Sequence, residues 1–166
     1  MASAFFAGPK KDFQRGGAHI AIHLVPVHNE RLVAFDVTAK GLEGRWLPWT
    51  VLEFRGNPYA DAAALADDWC QGDVTDLRLI DVLSNEAAGS WELAIIFRAE
   101  LSVFPAPDGP RAPIALAPPF EQPLNGLPPV ELERWLGMRP AAEAAPQPEP
   151  PRRELPRADE GPKLVF

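Results

Sequence analysis

The chain has 166 residues, 46% of them hydrophobic, and a formal net charge of -7 at neutral pH. That length supports one ordinary core, and the negative charge argues against general nucleic-acid binding, which Lys and Arg drive by displacing counterions from phosphates. Cys70 is the single cysteine, which excludes an intrachain disulfide and a multi-cysteine zinc site and fits a reducing, cytoplasmic setting.

At the amino terminus, MASAFFAGPKKDFQRGG places its apolar AFFA ahead of its charges, the reverse of a signal peptide, and no run approaches membrane-spanning length. Residues 1–16 are therefore an N-terminal extension, and no membrane partner is expected. From Gly17 to Val27, GAHIAIHLVPV alternates so that Ile20, Ile22 and Leu24 share one side, the period of a half-buried strand. HNE supplies a turn. RLVAFDV continues as a second strand, with Leu32, Ala34 and Asp36 on one side and Val33, Phe35 and Val37 on the other, and the two strands are expected to pair as a hairpin.

TAKGLEGRW reads as a loop. Asn57 and Pro58 have the N-cap and first-turn character that opens a helix. At helical spacing Ala62, Ala63, Leu65, Ala66, Trp69 and Cys70 gather into one apolar arc, Asp61, Asp67, Asp68 and Gln71 occupy the other, and Gly72 is a natural stop. DLRLIDVLS and SWELAIIFRAEL are two further strands joined by the turn-like NEAAG, with Leu93, Ile95 and Phe97 on one face of the second.

The 20 prolines of the chain, about twice the usual share, concentrate after Phe104. PAPDGPRAPIALAPPFEQPLNGLPP is too proline-dense for a sheet interior and should wrap the domain as extended chain. PVELERWLG reads as a short closing helix offering Val130, Leu132, Trp135 and Leu136 for burial. These elements make one domain over residues 17–137. Residues 138–166 form a proline-rich tail with too little apolar surface to offset chain entropy, ending in an apolar KLVF that either frays or anchors.

His19 and His23 share a strand face, but about 13 Å of strand between them is too wide for one metal ion, so a structural or surface role is expected. His28 is expected to meet only solvent. Cys70 reads as a small core residue rather than a nucleophile. Arg45, Arg55 and Arg98 have the chemistry to meet an anionic ligand, although solvated loop or strand-edge charge is the simpler reading. No serine, histidine and acid arrangement and no glycine-rich phosphate loop stands out.

Over about Gly17 to Leu101, the stretches RWLPW, LE, NPYADAA and VLSNEAAGSWELAIIFRAEL resemble sequences of the Nudix hydrolase family. The resemblance implies a mixed-sheet α/β/α sandwich and the cleavage of a nucleoside diphosphate linked to another moiety, with magnesium or manganese held by one helix. It also places Trp46 beneath the family's sequence box and matches Glu53 to a glutamate in the turn ahead of it. That box reads G-x5-E-x7-R-E-U-x-E-E-x-G-U, where U is bulky and aliphatic.

Laid without gaps, the box puts Thr50 and Gly56 on the first glycine and glutamate, Ala64 and Leu65 on the arginine and next glutamate, and Asp68 and Trp69 on the final acidic pair. Gln71 falls on the closing glycine. A register one residue shorter puts Asp67 and Asp68 on the acidic pair, with Ala63 and Ala64 on the arginine and glutamate. Glutamates one helical turn apart give a hard cation several oxygens at once, and here the same turn offers one carboxylate between two apolar side chains.

The expected function is therefore non-catalytic: a ligand-sensing or protein-interaction module, with a protein partner, a second copy of itself or a nucleotide as ligand, and no cofactor. Trp49, Leu65 and Trp69 are the interaction candidates. Trp49 replaces a glycine and should bulge from its loop, and Trp69 must be covered by internal side chains, by the proline-rich segment or by a ligand. The alternative is a divergent hydrolase that uses Glu53, Asp67 and Asp68, with Glu86 or Glu92 from the later hairpin, and holds magnesium or manganese on Glu53 and Asp68.

Overall fold

The computed structural model describes residues 18–72, 74–87 and 90–138. The expected N-terminal extension and, beyond Met138, the expected tail lie outside them.

β1 (Ala18–His28) and β2 (Arg31–Val37) form the expected hairpin. Asn29 and Glu30 both take left-handed backbone, φ 48° and 61°, the geometry of a tight turn whose twist matches that of the strands it joins. The strands pair only close to this turn, at Val27 with Leu32 and His28 with Arg31, and then part. Two short strands fill the fork. β3 (Gly44–Trp46) pairs with β2, and β4 (Trp49–Val51) pairs with β1 at Ala21 to His23. The expected loop before the LP pair is thus partly strand, because β2 needs a partner where β1 has left it.

β6 (Ser90–Leu101) runs parallel to β1 from Ala18 to Val27, and β5 (Val74–Ala87) lies antiparallel on its far side. β5 extends into the NEAAG stretch, where a turn was expected to begin. β7 (Arg111–Leu116) pairs antiparallel with the outer edge of β2, completing a seven-stranded mixed sheet. The proline-rich segment, expected as extended chain kept out of a sheet interior, thus supplies an edge strand. Pro113 is tolerated because β7 is an edge strand, where a missing donor need not cost a ladder bond.

A helix covers each face. α1 (Pro58–Cys70) begins as its sequence dictates, with Asn57 Oδ1 accepting from the amides of Tyr59 (3.0 Å) and Ala60 (3.3 Å) and Pro58 in the first turn. Gln71 and Gly72, both at positive φ, end it. Ala62, Leu65, Ala66 and Cys70 are buried against Ile22, Leu24, Phe35 and Phe97, forming one core. Ala63, assigned to this arc from periodicity, is exposed.

α2 (Pro129–Leu136) closes the opposite face. Leu132 and Trp135 are fully buried there with Val25, Ala34, Leu47 and Ile96, whereas Val130, read as a core position, stays in solvent. Alternation along β1, β2 and β6 feeds both cores: Ile95 and Phe97 face α1, and Ala94 and Ile96 face α2. The architecture is the expected α/β/α sandwich.

Candidate functional site

Between the β4 end of the fork and α1 lies a groove of about 550 Å³. Asp61, Ala64, Leu65 and Asp68 form its helical wall, because residues three, four and seven apart share one helix face. Thr50, Val51 and the turn from Glu53 to Gly56 form the other wall. That turn is closed by the Gly56 amide donating to the Glu53 carbonyl at 2.8 Å, and Arg55 sits in it at φ 66°. Its tip presents Phe54 with 91% of its surface exposed and the Arg55 guanidinium 5.4 Å from the ring centre. A phenyl ring so exposed gains nothing from the fold, and its place on the groove wall is one that hydrophobic periodicity cannot reveal.

Carboxylates dominate this lining: Glu53, Asp61 and Asp68, with Arg55 as the one basic side chain. Asp67 is not among them, although the shorter register named it. Leu65 is 7% exposed and forms floor rather than free surface.

Arg111, at the start of β7, reaches across to α1. Its guanidinium donates to both carboxylate oxygens of Asp68, at 2.8 and 3.2 Å, and to Asp108 at 2.9 Å. It also lies 4.9 Å from the centre of the Trp69 ring, which meets Phe35 edge-on from the other side at 5.2 Å. Trp69 is thus covered jointly by an internal side chain and by the proline-rich segment. The hydrogen bond to Asp68, above all, outweighs partial desolvation and holds Arg111 above its ordinary range, so the guanidinium is permanently charged. Gln71 ties the same segment down by donating to the Ala106 carbonyl at 3.1 Å.

No protein-family model matches the sequence, and no curated protein matches it. Solved structures do. A UDP-X diphosphatase aligns over 77% of this chain and 66% of its own, at 11% identity and a TM-score of 0.52. A pyrophosphohydrolase of Bacillus subtilis aligns over 77% and 79%, at 10% identity and a TM-score of 0.50. A Nudix hydrolase from Nitrosomonas europaea aligns over 77% and 76%, at 15% identity and a TM-score of 0.49. The fold is Nudix-like. This chain spans 56% of an ADP compounds hydrolase that it also matches, and 66% of the UDP-X diphosphatase, so it covers only part of either.

Of the residues that the two registers named, Thr50, Gly56, Ala64, Leu65 and Asp68 line the groove, while Ala63, Asp67, Trp69 and Gln71 do not. The donor set does not suit a divalent cation. Asp68 already gives both oxygens to Arg111, and the neighbouring box positions are Leu65 and Trp69. At Gly56 a Cβ would come within 2.7 Å of Leu52 Cδ1 and 2.9 Å of the Glu53 carbonyl oxygen, so the tightened turn leaves no room for a glutamate there. Among the described residues no three His, Cys, Asp or Glu side chains are grouped to hold a metal ion.

The remaining named residues lie elsewhere. Trp46 is half-buried against the α1-side core and donates from Nε1 to the Leu42 carbonyl at 2.8 Å. Trp49 does not bulge; it is half-buried in β4 opposite His23. Glu92, one of the carboxylates offered for the hydrolytic alternative, is fully buried on the α2 face, away from the groove. The side chain of Glu86 lies outside the described residues.

Glu92 gives the two histidines a structural role, the first of the two expected for them. His19 Nε2 lies 2.9 Å from one of its oxygens and His23 Nε2 lies 3.5 Å from the other. Strand spacing separates the two backbones, but imidazoles leaning from either end meet at a carboxylate on the neighbouring strand. Asn125 extends this cluster, donating to His23 Nδ1 at 3.2 Å and clasping the Leu47 amide and carbonyl.

His28, expected in solvent, bonds from Nδ1 to the Leu101 carbonyl at 3.0 Å. Arg45 is exposed and paired with Asp36. Arg98, expected at a solvated edge, is buried and donates to the carbonyls of Trp135 (2.7 Å), Leu136 (3.0 Å) and Met138, capping α2. Cys70 is buried, and desolvation pushes its thiol up to about 12, which suits a core residue and not a nucleophile.

Proposed function

We propose that this Nudix-like domain is a non-hydrolytic binding module whose box groove takes a cationic peptide segment. One observation carries the reading: Arg111 takes both oxygens of Asp68, the acid that the resemblance places on the family's metal-holding turn, so that carboxylate is not free to hold a cation. Hydrolysis of a diphosphate requires a cation to offset the negative charge of substrate and site together. With Asp68 neutralised by Arg111, the groove still carries Glu53 and Asp61 against Arg55, a net negative lining that disfavours a diphosphate and favours a basic chain. Its apolar floor of Val51, Ala64 and Leu65, with Phe54 overhanging, adds hydrophobic contact and a ring for stacking by a cation.

Magnesium and manganese titrations with a panel of nucleoside diphosphate derivatives test the proposal. The expected result is no turnover above background. Metal-dependent release of phosphate or nucleotide that disappears in Asp68→Ala overturns it. A thermal shift with nucleotide, and none with lysine- or arginine-containing peptides, would overturn the assignment of the ligand.

A further inference from the structure

We infer that the occupant of the groove is the chain's own N-terminal segment, residues 1–17, so that the module is self-occupied until a competing basic segment displaces it. This rests on the reading of the groove as a peptide site.

Three observations converge on that segment. The first is where it leaves the fold. The Leu52 amide donates to the Ile20 carbonyl at 2.9 Å, so the start of β1 runs beside the strand end that supplies Val51 and Glu53 to the groove wall. Arg15 is three residues ahead of Ala18, within about 10 Å of chain, and Lys11 within about 25 Å. The second is charge. Lys10, Lys11 and Arg15 outweigh Asp12, opposite in sign to the Glu53 and Asp61 that remain in the lining once Arg111 has neutralised Asp68. The third is apolar chemistry: Phe5, Phe6 and Phe13 match the apolar floor and the exposed Phe54.

A tether this short presents its segment at an effective concentration in the millimolar range, so even weak contacts suffice for occupancy.

The test uses the full chain carrying a nitroxide on Ser3→Cys, with Cys70 left in place because its buried thiol resists labelling. In an isotopically labelled sample, self-occupancy predicts severalfold loss of amide signal at Val51, Glu53, Phe54, Ala64 and Asp68, with Leu132 and Trp135 on the opposite face unaffected. Combining Lys10→Glu, Lys11→Glu and Arg15→Glu restores those signals.

Uniform broadening, or groove broadening that survives the charge reversal, overturns the inference. So does broadening of an isotopically labelled, spin-free chain by a spin-labelled partner copy, which assigns the groove to a second molecule. The same preparations are assayed for metal-dependent turnover. Turnover sinks the underlying non-hydrolytic reading whatever the spectra show, whereas absent turnover with no groove broadening sinks self-occupancy alone.

Discussion

Arg111 grips both carboxylate oxygens of Asp68 while its guanidinium carbon lies 4.9 Å from the centre of the neighbouring Trp69 ring, so one guanidinium serves two adjacent positions of α1. A planar, delocalised cation can hydrogen-bond at its edge and stack on its face at once, which an ammonium cannot. The contact fastens edge strand β7 to α1 and closes the first core at its rim.

Replacing Arg111 by Ala is expected to cost about 1 to 2 kcal/mol, from an exposed ion pair worth up to about 1 and a cation–π contact of similar size. Arg111→Lys should recover less than half of it. Urea denaturation of the single and double variants with Asp68→Asn measures the coupling, and a coupling near zero would show that the pair is decorative.

Rebuilding the box should fail at defined positions. Gly56→Glu is expected to destabilise by about 1 to 3 kcal/mol through its clash with the Glu53 carbonyl and Leu52. Leu65→Glu should cost about 3 kcal/mol or more, because it removes a floor side chain and buries a charge. Ala64→Arg, at an exposed position, should stay within about 0.5 kcal/mol. Thermal melts rank the three, and an unaltered midpoint for Gly56→Glu would contradict the tight turn.

Asp81 anchors α2 to β5. Its burial alone would raise its pKa, but hydrogen bonds from Trp135, Arg134 and the Val82 amide together pull it below the ordinary value of 3.8. A carboxylate with a depressed folded-state pKa stabilises above its unfolded value, and that stability is lost as pH falls through the folded one. Asp81→Asn should therefore lose about 1 to 2 kcal/mol at neutral pH, with the gap to the parent protein closing below about pH 4. Denaturant melts at neutral and acidic pH distinguish this from a gap that persists in acid.

Arg98 caps α2 from within the sheet and pairs with Glu100 at 2.6 Å. Arg98→Met keeps the apolar stem but strands the last carbonyls of the helix and a largely buried carboxylate, an expected loss of about 3 kcal/mol. Trp135 fluorescence should shift to the red as the helix loosens. An unshifted spectrum at full stability would mean that the cap is dispensable.

Much of the fold is written in local pattern. Alternation in β1, β2 and β6 assigned their faces, Asn57 and Pro58 marked the start of α1, and Leu132 and Trp135 marked the buried side of α2, because strand and helix periods are properties of adjacent residues. What remained hidden depended on residues far apart in the chain. Arg111 reads as one basic residue in a proline-rich stretch, and only the pairing of β7 with β2 carries it to Asp68, 43 positions away. His19 and His23 read as too far apart for one metal ion and as structural or surface residues, and only the parallel register of β1 with β6 sets Glu92 opposite His19 and within reach of His23. Composition and periodicity fix which faces are apolar, but the partner that satisfies a buried or half-buried charge is chosen by strand register, and register exists only once the sheet has formed.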